Sequence, residues 1–163
     1  EVVPKKGWGG VFWNSHPDFI KFQWDRFAEL YEEAQNQSLE SGEKRMLVRC
    51  VCVADTYEEA VEAVRPGHDE TWKFLGPYGW SKGYMGPDGK PSKAGLIPTL
   101  EESIDQKIWI VGSADDVGEQ IEWHKDLLGV ENLLLFPMMP GDSYESGTDQ
   151  LHRLAEDVMP KFL

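Results

Sequence analysis

The stretch MLVRCVCVADTYEEA, residues Met46 to Ala60, changes its structural period partway along. Met46 to Ala54 is short, β-branched and apolar on both sides of the alternation, as expected of a strand buried on both faces in a parallel sheet. Asp55 and Thr56 then open a helical segment in which Thr56 and Glu59 have the spacing of a capping box. Pro66 is expected to end that helix. A buried strand leading straight into a capped helix is the first half of a β-α-β unit, so the flanking sequence is read for more of the same.

Upstream, Ile20, Trp24, Phe27, Tyr31 and Ala34 recur at spacings of three and four, which predicts an amphipathic helix from Asp18 to Gln37. GGVFW, Gly9 to Trp13, reads as a short strand before it. Downstream, DETWKFL predicts a further short helix, and Thr99 with Glu102 offers a second capping box. IWIVG, Ile108 to Gly112, and NLLLF, Asn132 to Phe136, read as strands. Ser113 caps a helix with the apolar face Val117, Ile121, His124 and Leu128, stopped at Gly129. After the loop PMMPGDSYESG, a last helical stripe runs through Leu151, Leu154, Ala155, Val158 and Phe162. Four β-then-α units in succession imply a parallel sheet with packed helices, in one α/β domain over residues 1–163. Two architectures satisfy this pattern: a small doubly wound parallel sheet, or half of a (β/α)8 barrel.

Between Gly76 and Thr99 the chain carries six glycines and four prolines around Tyr78, Trp80 and Tyr84. So long a loop is a linker or a functional cover. Strand-like segments of one sheet lie on both sides of it, so it is expected to be a mobile cover inserted in the domain. A chain of 163 residues, 40% hydrophobic, suffices for one core. Its net charge of -13, from 16 basic and 29 acidic side chains, argues against nucleic acid and anionic membranes as partners. With no apolar run near 20 residues and no signal-like start, the protein is expected to be cytoplasmic. The absence of an initial methionine points to a processed or truncated chain.

Ligands of parallel α/β domains bind beyond the carboxyl ends of the strands. That rule selects Trp13, Asn14 and His16 after the first strand, Asp55 and Thr56 after the second, Gly112 and Ser113 after the third, and Pro137 to Met139 after the fourth. Asp55 and Thr56 are explained by capping. Asp115 and Asp116 already serve the dipole of the helix after Ser113 and would repel an anion. His16 is the candidate acid or base. His124 sits on an apolar helix face and reads as a packed side chain. Cys50 and Cys52 read as reduced core residues. No metal-ligand spacing, Walker-type loop or nucleophile elbow is present. Trp72, Phe74, Tyr78, Trp80 and Tyr84 crowd the entrance to the loop as if lining a pocket with a cover.

Three segments in order carry a family likeness. RCVCVADTYEEA resembles the strand and capped helix that open the C-terminal part of the bacterial luciferase-like flavin-dependent monooxygenases. IWIVGSADDVGEQI resembles their late strand, turn and helix, and LGVENLLLF with DQLHRLAEDVMPKFL is similar to their last strand and terminal helix. The likeness covers Met46 to Leu163; the segment before it matches family patterns poorly.

The resemblance implies the C-terminal half of a (β/α)8 barrel, about four β/α units, with Gly76 to Thr99 as a lid-like loop. It implies an oxidoreductase using reduced flavin, FMN in the first place with FAD or deazaflavin F420 as alternatives, and O2. The substrate would be a small organic, aldehyde- or alkane-like compound. Trp72 is the implied flavin neighbour, and Trp13, Tyr78, Trp80 and Tyr84 the substrate contacts. The implied partners are a second copy or the missing N-terminal half of the barrel, and a flavin reductase. The alternative is a non-catalytic flavin-binding or partner subunit of the same family. An isolated half barrel would also leave an apolar sheet face and strand edges open.

Overall fold

The computed structural model describes residues 2–93 and 95–163; Glu1, and Ala94 within the expected loop, lie outside the described residues. A short helix α1 (Val2–Lys5) precedes β1 (Gly10–Trp13), α2 (Pro17–Gln35), β2 (Arg45–Val53) and α3 (Tyr57–Leu75). Two 3-10 turns, Gly76–Tyr78 and Trp80–Gly83, lead through the loop to α4 (Leu100–Asp105). β3 (Trp109–Gly112), α5 (Ala114–Leu128), β4 (Leu133–Phe136) and α6 (Tyr144–Arg153) follow, and α6 continues as a π turn and a 3-10 turn to Phe162.

The capping logic of the sequence is realised locally. Thr56 with Glu59 and Thr99 with Glu102 form reciprocal capping boxes. Ser113 and Asp116 do the same for α5, which stops at Gly129 with φ 60°. One expectation fails: Pro66 does not end its helix. α3 runs through it and absorbs the separate segment expected at DETWKFL. The missing backbone donor costs a helical hydrogen bond, but the turns beyond it bury His68, Thr71, Trp72 and Leu75 against the sheet. Tertiary burial outweighs the local break. The last stripe is also narrower than expected, since Leu154 and Val158 are buried while Leu151 is 54% exposed.

β2 is the hub of the sheet. All pairings are parallel: β1 lies along Arg45 to Val48, β4 along Leu47 to Cys50, and β3 along Cys50 to Val53. Alternate residues of a strand point to opposite faces, and the two faces of β2 are covered by different helices. Cys50 and Cys52, with Trp109 and Val111, pack on Ala60, Val64 and Trp72 of α3 and on Ile104 of α4. Val51, Val53 and Ile110 pack on Val117 of α5 and on Leu154 and Val158. Leu47 meets Ile20 and Trp24 of α2. The result is an α/β fold with a parallel sheet and helices on both faces. β4 pairs with β2 rather than with β3.

The sheet face under α3 is covered only over the second half of β2. Val11, Met46, Leu134 and Phe136 are 61, 37, 50 and 46% exposed, and the register places them on that same face. Among the described residues, no helix is long and apolar enough to cross a membrane.

Candidate functional site

β1 ends in a tight turn. Asn14 takes a left-handed φ of 52°, and Pro17 then starts α2 at a position where its missing N–H costs nothing. The His16 Nδ1 accepts from the Asp18 N–H at 3.2 Å, which fixes the neutral ring with its proton on Nε2. Burial holds the His16 pKa below the usual imidazole value; Asp18 opposes this and Arg49 adds to it. His16 is therefore neutral at pH 7, with an Nε2–H donor to offer.

The loop docks on this turn. The His16 N–H donates to Gly83 O at 2.7 Å, and Trp13 and Trp80 meet edge to face at 5.3 Å. A Cβ at Gly83 would stand 2.3 Å from Asn14 O, so only glycine permits the approach. Further along, Met85 is held by both amide atoms of Gln106, which accepts from its N–H at 2.8 Å and donates to its carbonyl at 3.0 Å. Ser81 donates to Lys93 O, and Met85 bridges Pro91.

Tyr84 turns inward to a polar knot. Ser103 donates its only proton to Thr99 O at 2.9 Å, so the Tyr84 hydroxyl at 2.8 Å and His68 Nε2–H at 2.9 Å are the donors to Ser103. Burial lowers the His68 pKa and raises that of Tyr84, so all three groups are neutral. Trp72 packs edge-on against Tyr84 at 5.1 Å and is fully buried.

The structure thus brings Trp13, His16 and Trp80 together at the end of β1. Trp72 and Tyr84 lie within the adjoining core cluster, against which Trp13 also packs. Tyr78 is apart from both groups, 71% exposed and leaning on Phe74. His124 is buried and hydrogen-bonded, and both cysteines are free and buried, as read from the sequence.

Sequence reading selected Asn14 by its place after β1 but not the state of its side chain, and it missed the burial of Arg49. Asn14 is 1% exposed, and among the described residues neither its side-chain oxygen nor its nitrogen has a partner. Leaving a buried amide unpaired costs on the order of 1–3 kcal/mol per group. Arg49 is fully buried and, among the described residues, forms no ion pair with a carboxylate. It donates instead to Ser15 O at 3.0 Å and to His124 Nε2 at 3.2 Å. Burial pulls its pKa down to about 10, so it remains charged. The available signal was a single charge inside an otherwise apolar strand.

The fold and site define a parallel α/β domain whose loop packs against the turn at the carboxyl end of its first strand. No family model matches the sequence, and no curated protein does. Solved structures do match. Over 99% of this chain and 45% of its own, the fold is similar to the oxygenating constituent of 3,6-diketocamphane monooxygenase from the CAM plasmid of Pseudomonas putida. That protein is a type II Baeyer-Villiger monooxygenase in complex with FMN; the TM-score is 0.74 at 22% identity. Monooxygenase RslO1 from Streptomyces bottropensis is similar over 99% of this chain and 44% of its own, with a TM-score of 0.71 at 14% identity. Long-chain alkane monooxygenase (LadA) is similar over 93% and 35%, with a TM-score of 0.59 at 18% identity. This chain spans less than half the length of each. At these identities the likeness is one of fold, and it falls on the kind of enzyme that the sequence resembled.

Proposed function

We propose that this chain is part of a luciferase-like, flavin-dependent monooxygenase, corresponding to the C-terminal part of the barrel and contributing one wall of the substrate pocket and its lid. The observation that carries the reading is the unpaired, buried Asn14 amide beneath the docked loop, in a fold shared with an FMN-bound monooxygenase. A planar amide with a free donor and a free acceptor fits a polar group of a ligand arriving at the end of β1. When bound, reduced flavin with O2 would supply the oxidising chemistry.

The residues of this chain have their own parts. Trp13 and Trp80 would exclude water and flank an apolar substrate of aldehyde or alkane type. His16 would offer its Nε2–H as a hydrogen-bond donor to an oxygen of the substrate or cofactor. Tyr84 and Trp72 support the loop from below. In this conformation Trp72 has no open surface, so it would meet a flavin only with the loop displaced. Tyr78 would reach substrate only by a similar movement. A barrel context also supplies a use for the open apolar face at Val11, Met46, Leu134 and Phe136: it would be covered by the remaining half or by another chain. FMN is the proposed flavin, delivered reduced by a separate reductase.

Titration of the protein with FMN, followed by flavin fluorescence, tests the reading. Saturable binding that weakens several-fold in Asn14→Gly, with O2-dependent substrate oxidation on supply of reduced FMN, is the expected result. Binding without turnover favours the non-catalytic subunit of the same family. Absence of any flavin binding overturns both.

A further inference from the structure

We propose that Arg49 is the positioning residue of the candidate site: its guanidinium fixes the turn from Asn14 to His16 and thereby latches the loop at Gly83. This role follows from the geometry of one peptide unit, Ser15–His16, whether or not the chain binds flavin. A trans peptide directs its carbonyl and its N–H to opposite sides. Here the Ser15 carbonyl accepts from Arg49 Nη2 at 3.0 Å, while the His16 N–H donates to Gly83 O at 2.7 Å. One rigid plane is thus gripped between the buried guanidinium and the loop. Asn14 and His16, the polar side chains of the turn, adjoin Ser15 on either side, so the orientation of that plane sets theirs.

The rest of the guanidinium is anchored, which makes Arg49 a fixed post. Its Nε donates to His124 Nε2 at 3.2 Å, and the His124 Nδ1–H is held in turn by Gln120 O of α5 at 2.7 Å. A continuous hydrogen-bonded line therefore runs from Gln120 O through His124, Arg49 and the Ser15–His16 peptide to Gly83 O, tying α5 to the loop by way of β2. A cation on the carbonyl also polarises the peptide and strengthens the N–H on its far side as a donor. Arg49 and His124 have no exposed surface, so both are committed to this line and neither is open to contact from outside. A buried arginine with no carboxylate partner among the described residues is a costly way to fill space. Leucine or methionine would pack in the same strand without that cost, but neither can hold a carbonyl.

Hydrogen exchange, followed residue by residue by NMR on the intact chain without ligand, tests this role. The reporter is the His16 N–H. The reference is the Leu47 N–H, which donates to Asn132 O at 3.0 Å and reports opening of the core. Arg49→Met removes every donor and keeps an unbranched stem. It is expected to speed exchange at His16 by at least about tenfold more than at Leu47, because the latch opens locally. A packing role alone would accelerate both by the same factor, and that outcome overturns the proposal. Gly83→Ala is the second test, and it decides the matter if Arg49→Met does not fold. Its Cβ would stand 2.3 Å from Asn14 O, so the loop must lift while Arg49 stays in place. Coupling between two sites is reciprocal, so exchange of the Arg49 Nε–H should rise in Gly83→Ala, again relative to Leu47. An Arg49 Nε–H no faster than in the wild type overturns the proposal. So does a His16 N–H that is already unprotected in the wild type.

Discussion

At the scale of single residues, two buried polar side chains, His124 and Asn14, have opposite thermodynamic signatures. His124 accepts from Arg49 at Nε2, with its Nδ1–H directed at Gln120 O, and burial followed by the Arg49 charge pushes its pKa down to about 4. The same Nε2 lies 2.9 Å from Lys107 O, a contact that a protonated ring would improve but the adjacent guanidinium opposes. A base whose folded pKa lies below its unfolded value of about 6.5 leaves the unfolded state holding more protons between those limits. Stability from this group is therefore complete above pH 6.5 and falls as pH drops toward 4, by roughly 3 kcal/mol in all. Urea unfolding at stepwise pH should show that loss, with a shallower slope in His124→Gln, which keeps an acceptor for Arg49. Asn14 behaves differently. Its left-handed backbone suits glycine, and its amide is unpaired among the described residues, so Asn14→Gly is expected to raise stability by roughly 1–2 kcal/mol. A stabilised variant that binds ligand less well would mark Asn14 as a site residue retained at a structural cost.

At the scale of elements, α3 shows how far local rules reach. Pro66 is exposed and inside the helix, where its ring removes one hydrogen bond. Pro66→Ala should stabilise the protein by about 1–3 kcal/mol, read as a rise in the thermal midpoint. The neighbouring Gly67→Ala should do the reverse. A Cβ there would come within 2.2 Å of Met139 Cβ, so the turn after β4 must move, at a cost of about 1–3 kcal/mol. This contrast also explains what the sequence made legible. The strands, the capping boxes and the Gly129 stop depend on neighbours within a few residues, and they stand where the sequence placed them. The continuation of α3 past Pro66 depends on Trp72 and Leu75 finding the sheet, which no local pattern encodes. The site divides in the same way. Trp13, His16 and Trp80 were visible as residues beyond a strand or in a long loop, whereas their meeting requires Gly83 to seat on Asn14. The isolation of Tyr78, and the burial of Arg49 without a carboxylate, are likewise outcomes of packing.

For the whole molecule, the governing quantity is the mismatch between charge and cover. A formal charge of -13 on 163 residues opposes compaction, because the folded state brings acidic groups closer than the unfolded chain does. Raising ionic strength from about 0.01 to about 0.1 M shortens the screening length from roughly 30 to roughly 10 Å. The thermal midpoint should therefore climb with NaCl across that range and then flatten. Self-association would also raise the midpoint, since any equilibrium that binds only the folded state stabilises it, and salt would favour it by screening the two copies from each other. The two contributions separate by dilution. Intramolecular repulsion gives a salt slope that is independent of protein concentration, while association gives a midpoint that rises with it. Glu33→Lys with Glu62→Lys, both on exposed helix positions, replaces two acidic by two basic charges. That pair should flatten the salt slope of the thermal midpoint. A slope unchanged by the charge reversal would show that salt acts on apolar burial rather than on repulsion, and the acidic surface would then play no part in setting stability.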